Sequence, residues 1–125
     1  MKLVTLWFVV FGIACGSSPP APAPAPAPSK SDDAVALDAE GQKLMAAGSY
    51  ADAEKKFIAA YNKDPKAQYC FDLCTSEQQL GKLQLALNAC KKVGLHDPTP
   101  ELKAKADQTM QSIRDTAKAQ NVELE

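Results

Sequence analysis

The sequence predicts an all-α chain: a solenoid of two helical hairpins, closed by a C-terminal capping helix and preceded by a proline- and alanine-rich linker. Three observations carry this. Residues echo at a spacing of 33: Gly48 returns as Gly81, Ala53 as Ala86, and Asp64-Pro65 as Asp97-Pro98. Leu37 with Cys70, Phe57 with Cys90 and Ala60 with Val93 keep the same register. A repeat of that length is a stacked supersecondary unit and more often a binding platform than a catalytic fold. Between these marks the apolar residues follow helical spacing. Glycine and Asp-Pro fall where each hairpin must turn or stop.

The chain has 125 residues, and its start is not part of that domain. Residues 1–14 read as a secretory signal peptide, with Lys2 as the positive start and Leu3 to Ile13 as the apolar run. That run is too short for a membrane-crossing helix, which needs about 20 apolar residues. Of the 14 basic side chains, Lys2 leaves with the leader, so 13 face 15 acidic ones, a net charge of −2. Such a balance offers no footprint for nucleic acid. Lys55-Lys56 and Lys91-Lys92 read as solvated helix faces.

Cys15 follows the apolar run in Phe11-Gly12-Ile13-Ala14-Cys15-Gly16. Ile13-Ala14-Cys15 resembles the lipobox of bacterial lipoproteins, with Gly12 where that family usually has leucine. The resemblance implies cleavage before Cys15 and a diacylglycerol on its sulfur, with further acylation such as palmitate. Several acyl chains hold a protein stably, because each buried methylene contributes about 0.8 kcal/mol. Gly16, by the same resemblance, implies the outer membrane, with the domain facing the periplasm. Gly12-Ile13-Ala14 also fits ordinary signal cleavage, which would leave a soluble protein.

Residues 15–31 form the tether. Pro19 to Pro28 alternates proline with alanine after an initial Pro-Pro. Each proline fixes φ and pushes its predecessor toward extended geometry. The expectation is a polyproline II rod of about 3.1 Å per residue. A docking motif for an aromatic groove is the rival.

The folded domain is expected over 32–125. The first helix should run from about Asp33 to Ala47, with Ser31, Asp32 and Asp33 offering cap oxygens. Leu37, Gly41, Leu44 and Met45 share one side. Gly48-Ser49 breaks the pattern, and a second helix, Tyr50 to Lys63, aligns Ala53, Phe57, Ala60 and Tyr61. A third, Lys66 to Leu80, carries Cys70, Leu73, Cys74 and Glu77 in register. A fourth, Leu83 to Val93, buries Ala86, Leu87, Cys90 and Val93. Thr99 caps a fifth with Pro100 at its first position, and Leu102, Ala106, Met110, Ile113 and Ala117 form its stripe.

Gly48-Ser49-Tyr50-Ala51-Asp52-Ala53, with Phe57, Ala60, Asp64-Pro65 and Gly41, resembles the tetratricopeptide repeat. The likeness covers about residues 34–66 and, in degenerate form, 67–98. The second unit has Cys74 for the small glycine and Cys90 for the aromatic residue; Leu37 stands for the usual tryptophan and Glu40 for a leucine. The ankyrin signature Thr-Pro-Leu-His is absent. The resemblance implies a concave face made by the first helix of each unit, here displaying Asp38, Gln42, Met45, Gln68, Phe71, Thr75, Gln78 and Gln79. That surface is amide-rich and nearly neutral. The family's Lys/Asn carboxylate clamp is missing, since Asp38 stands where lysine would be needed. The expected ligand is therefore an extended or helical protein segment. Two units are few for a continuous core, so a capping helix over about 100–119 should supply the missing layer.

Cys70, Cys74 and Cys90 remain in an exported, oxidising setting. Counting from the turn at Gly81 favours a Cys70–Cys90 bridge, with Cys74–Cys90 second. Three buried thiols, or a Cys₃His zinc site with His96, are the alternatives. His96 is the only histidine and is expected to end a helix in solvent. No phosphate loop or hydrolase-type motif is present, so no catalytic residue and no cofactor is expected. The leading expectation is a membrane-tethered adaptor for a protein partner in envelope assembly, secretion or motility. A periplasmic thiol-redox or metal-binding protein using Cys70, Cys74, Cys90 and His96 competes with it, as does a structural spacer.

Overall fold

A computed structural model describes residues 20–125; the expected signal peptide over 1–14, Cys15, Gly16 and Pro19 lie outside the described residues. Pro20 to Pro28 has no regular secondary structure and is exposed. Five α-helices follow: α1 Lys30–Ala46, α2 Tyr50–Lys63, α3 Ala67–Gln79, α4 Leu83–Val93 and α5 Pro100–Ala119. The described chain is all-α, as expected.

The start of α1 corrects the expected boundary. The cap is Ser29, which accepts from the Asp32 amide at 3.2 Å while the Ser29 amide donates to Asp32 Oδ2 at 3.0 Å. This reciprocal capping box satisfies two amides that an uncapped helix would leave open. The helix therefore begins three residues early, inside the span assigned to the tether, and the ordered domain starts near Ser29 rather than at 32. Ser31 and Asp33 are released to join α1 to the end of α2. Ser31 donates to Asp64 at 3.0 Å, and Lys63 pairs with Asp33 at 3.0 Å.

Gly48 and Gly81 close the two hairpins. Both take positive φ, +76° and +72°, where an L side chain would be strained. Each lets the next amide reach back five residues: Ser49 to the Leu44 carbonyl, Lys82 to the Glu77 carbonyl. These bonds satisfy carbonyls left open at the helix C-terminus. Thr99 caps α5 through the Leu102 amide, with Pro100 at the first position as predicted.

Consecutive helices pack along the chain, and α3 also touches α1 and α5. Small residues set the spacing. Gly41 of α1 lies against the Phe57 ring of α2, and Ala53, Phe57 and Ala60 are fully buried. Tyr69 of α3 packs with Ala34 and Ala60 to join the first hairpin to the second. Ala67, Cys70, Val93 and Ala106 form a further cluster, with Tyr61, Phe71 and Leu102 against it. The largest cluster joins Cys74, Leu83, Ala86, Leu87, Ala89 and Cys90 to Ile113 and Ala117 of α5. α5 thus contributes core residues at both ends of the α3–α4 hairpin. Deleting residues 100–125 uncovers both clusters and should abolish the cooperative thermal transition followed by circular dichroism; unchanged helicity and melting would contradict it.

Candidate interaction site

The eight residues expected on the concave face sit on α1 and α3, and the structure brings them together unevenly. Asp38, Gln42 and Gln68 converge on Asp72 of α3, a residue the sequence reading passed over. Gln68 Nε2 donates to Asp72 Oδ2 at 2.9 Å, and Gln42 and Asp38 lie near enough to that carboxyl to influence its ionisation. Asp72 is buried, and Asp38 is half-buried with Oδ1 unpartnered. Burial first, then the neighbouring Asp72 charge, pushes the Asp38 carboxyl up to about 6. Burial also raises Asp72, against the lowering effect of its hydrogen bonds. Two carboxyls this close hold one proton between them more readily than none.

The remaining residues have more specific roles than display. Phe71 is half-buried and packs on the Ala67, Cys70, Val93, Ala106 cluster, so its ring belongs to the joint with α5 rather than to an open groove. Thr75 turns its hydroxyl back to the Phe71 carbonyl at 3.0 Å. Gln78 donates to Ser112 Oγ of α5 at 3.3 Å, so polar contacts continue from α3 onto α5. Met45 is half-buried, and Gln42, Gln68 and Gln79 are exposed.

A third acidic residue lies deeper. Glu77 is 6% exposed and its Oε2 has no partner. Burial pushes its carboxyl up to about 7; the Glu54 charge adds to this, and Lys82 and Lys92 oppose it. Glu54 is itself held by Lys82 at 2.6 Å. Glu77 and Asp38 thus bind protons more tightly folded than unfolded. Their contribution to stability is complete below pH about 4 and is lost as pH rises through about 6 to 7. The exposed carboxylates shifted the other way, Asp32, Glu40, Asp64 and Glu101, act only in more acidic solution. Melting temperature should therefore fall between pH 5 and pH 8, and Glu77→Gln should flatten that slope while raising stability at pH 8. A wild-type profile rising to pH 8 would contradict this.

The cysteines correct the first-choice pairing. The disulfide joins Cys74 to Cys90, with Cα atoms 5.2 Å apart, and Cys70 is free and buried. Across the hairpin Cys70 meets Val93, one helical turn beyond Cys90, which places Cys74 opposite Cys90. Equal counting from Gly81 missed that offset. The Cys₃His arrangement is not assembled, because two of its thiols are bonded to each other. His96 instead joins Tyr61, Nε2 to Oη at 2.9 Å with the rings edge to face, and is half-buried rather than solvated. Burial pushes the Cys70 thiol up to about 11, far from the thiolate range a redox cysteine needs.

Comparison with known protein families, with curated proteins and with solved structures finds no match to this chain.

Proposed function

We propose that this chain is an outer-membrane-anchored lipoprotein whose TPR-like helical domain docks a protein segment, as a non-catalytic adaptor in envelope assembly, secretion or motility. Cys15 carries the lipid anchor, the proline-rich run spaces the domain from the membrane, and the domain faces the periplasm. The observation that carries the adaptor reading is the placement of α3 between α1 and α5, with Asp38, Gln42, Gln68, Asp72, Gln78 and Ser112 as a polar face crossing all three helices. Helices that pack in order, with α3 also touching α1 and α5, fit a solenoid of two hairpins and a cap. Amide side chains of this kind hydrogen-bond both donors and acceptors of an extended backbone. The disulfide fits an oxidising compartment.

Two arms test the proposal. A clickable palmitate analogue should label the wild-type chain and leave Cys15→Ala unlabelled; retained label removes the anchor. Gln68→Arg places a bulky cation on the exposed α3 face without touching the core. It should abolish a specific partner's co-purification after in-cell crosslinking while the chain keeps its helical content and a cooperative melting transition. Retention of every partner by Gln68→Arg and Gln42→Arg removes the concave face as the site.

A further inference from the structure

Residues 121–125 fold back so that Leu124 is half-buried. After α5, Asn121 takes a φ of +55° and the Val122 amide reaches back to the Ala117 carbonyl at 2.9 Å, reversing the chain. The segment then lies against α4. Leu124 packs on the cluster that contains Leu83, Leu87, Ile113 and Ala117. The Glu125 amide donates to Gln84 Oε1 at 2.8 Å, and Gln84 Nε2 donates back to the Glu125 main-chain oxygen at 3.2 Å. Lys91 Nζ reaches the same oxygen at 3.3 Å, and Asn88 holds the Gln84 amide in place at 3.2 Å.

This is how a side-chain amide recognises an extended backbone: one donor and one acceptor, matched to the N–H and oxygen of a single residue. Gln84 reads main chain, so it takes any residue with a free amide at that position. The apolar contact of Leu124 supplies the side-chain preference. All the polar contacts are solvent-exposed, and such segments open locally at low free-energy cost.

We propose that the α4 surface formed by Gln84, Asn88 and Lys91 is a second docking surface, occupied in cis by Leu124-Glu125, that accepts an extended segment of a partner with a leucine-sized side chain immediately before the clamped residue. It lies apart from the α1–α3 polar face and does not depend on it. Leu124-Glu125 of the chain itself act as a tethered competitor. A short tether holds them at a millimolar effective concentration, so a free segment binds well only when they are released.

The probe is a fluorescein-labelled peptide, Asn-Val-Glu-Leu-Glu, titrated into the full chain and read by anisotropy. Leu124→Asp, which drives the segment off the apolar cluster, should bind the peptide about tenfold more tightly than wild type. Adding Gln84→Ala should remove that gain, and Gln68→Ala on the other face should not. Equal binding by wild type and Leu124→Asp, or a gain indifferent to Gln84→Ala, overturns the proposal. Should Leu124→Asp fail to fold, the wild-type chain decides it by NMR. Millimolar peptide should shift the Gln84 side-chain amide and the Leu87 and Ile113 methyls, and unmoved resonances overturn the proposal.

Discussion

Phe57→Ala is expected to lower stability by about 4 kcal/mol, close to the whole stability of a small domain. Among the described residues Phe57 is the largest fully buried side chain, and its ring fills the joint between α1 and α2 against Gly41. From α1 only Ala34 and Gly41 are buried, with Leu37 half-buried against the neighbouring cluster. The cavity left by alanine therefore has little around it able to collapse. The reciprocal change acts through the same contact. A Cβ on Gly41 would lie 2.5 Å from Phe57 Cε1, closer than side-chain atoms approach. Gly41→Ala should cost about 2 kcal/mol through overpacking. Because the two residues share one space, Gly41→Ala with Phe57→Leu should be less destabilised than the sum of the single changes. Urea denaturation of wild type, Phe57→Ala, Gly41→Ala, Phe57→Leu and the double variant measures this. Strict additivity, or a near-neutral Phe57→Ala, would mean the hairpin is not joined there.

Removing the Cys74–Cys90 bridge is the second large effect. It closes a loop with a sequence separation of 16, and constraining the unfolded chain over that span stabilises by about 3 kcal/mol. Cys74→Ala with Cys90→Ala should therefore melt well below the oxidised wild type and be insensitive to reductant. Cys70→Ala should keep the full reductant-dependent drop in melting temperature, since Cys70 contributes only its packing with Ala67, Val93 and Ala106. Loss of the reductant effect in Cys70→Ala would place the bridge elsewhere. Both cysteines of the bridge are at most 1% exposed, so reductant acts mainly on the opened chain.

The helices were legible where punctuation was strong. Gly48, Asp64-Pro65 and Gly81 bracket α2 and α4, whose ends match expectation. The buried stripes of α2, α4 and α5 followed from spacing alone, because each has one clear apolar side. The start of α1 was misread because three acidic or hydroxyl residues in a row, Ser31 to Asp33, masked the Ser-x-x-Asp box beginning at Ser29. The disulfide pairing depends on how far α4 slides along α3, and the turn sequence does not encode that slide. Asp72 could have been found: it lies one helical turn after Gln68 on α3 and shares its side of the helix. Its meeting with Asp38, like that of Tyr61 with His96 across 35 residues, is purely tertiary. Phe71 was placed on the groove side by register, and in the structure its half-buried ring also packs on the Ala67, Cys70, Val93, Ala106 cluster, a tertiary contact the register does not encode.

Site-specific photocrosslinking in intact cells tests the adaptor reading most directly. A benzophenone residue placed in turn at Gln42, at Gln68 and at Lys55, all exposed, samples the α1–α3 polar face and the outer side of α2. The prediction is one adduct of common mass from positions 42 and 68 and none from 55. No adduct from either polar-face position, or equal adducts from all three, would contradict a partner seated across α1 and α3.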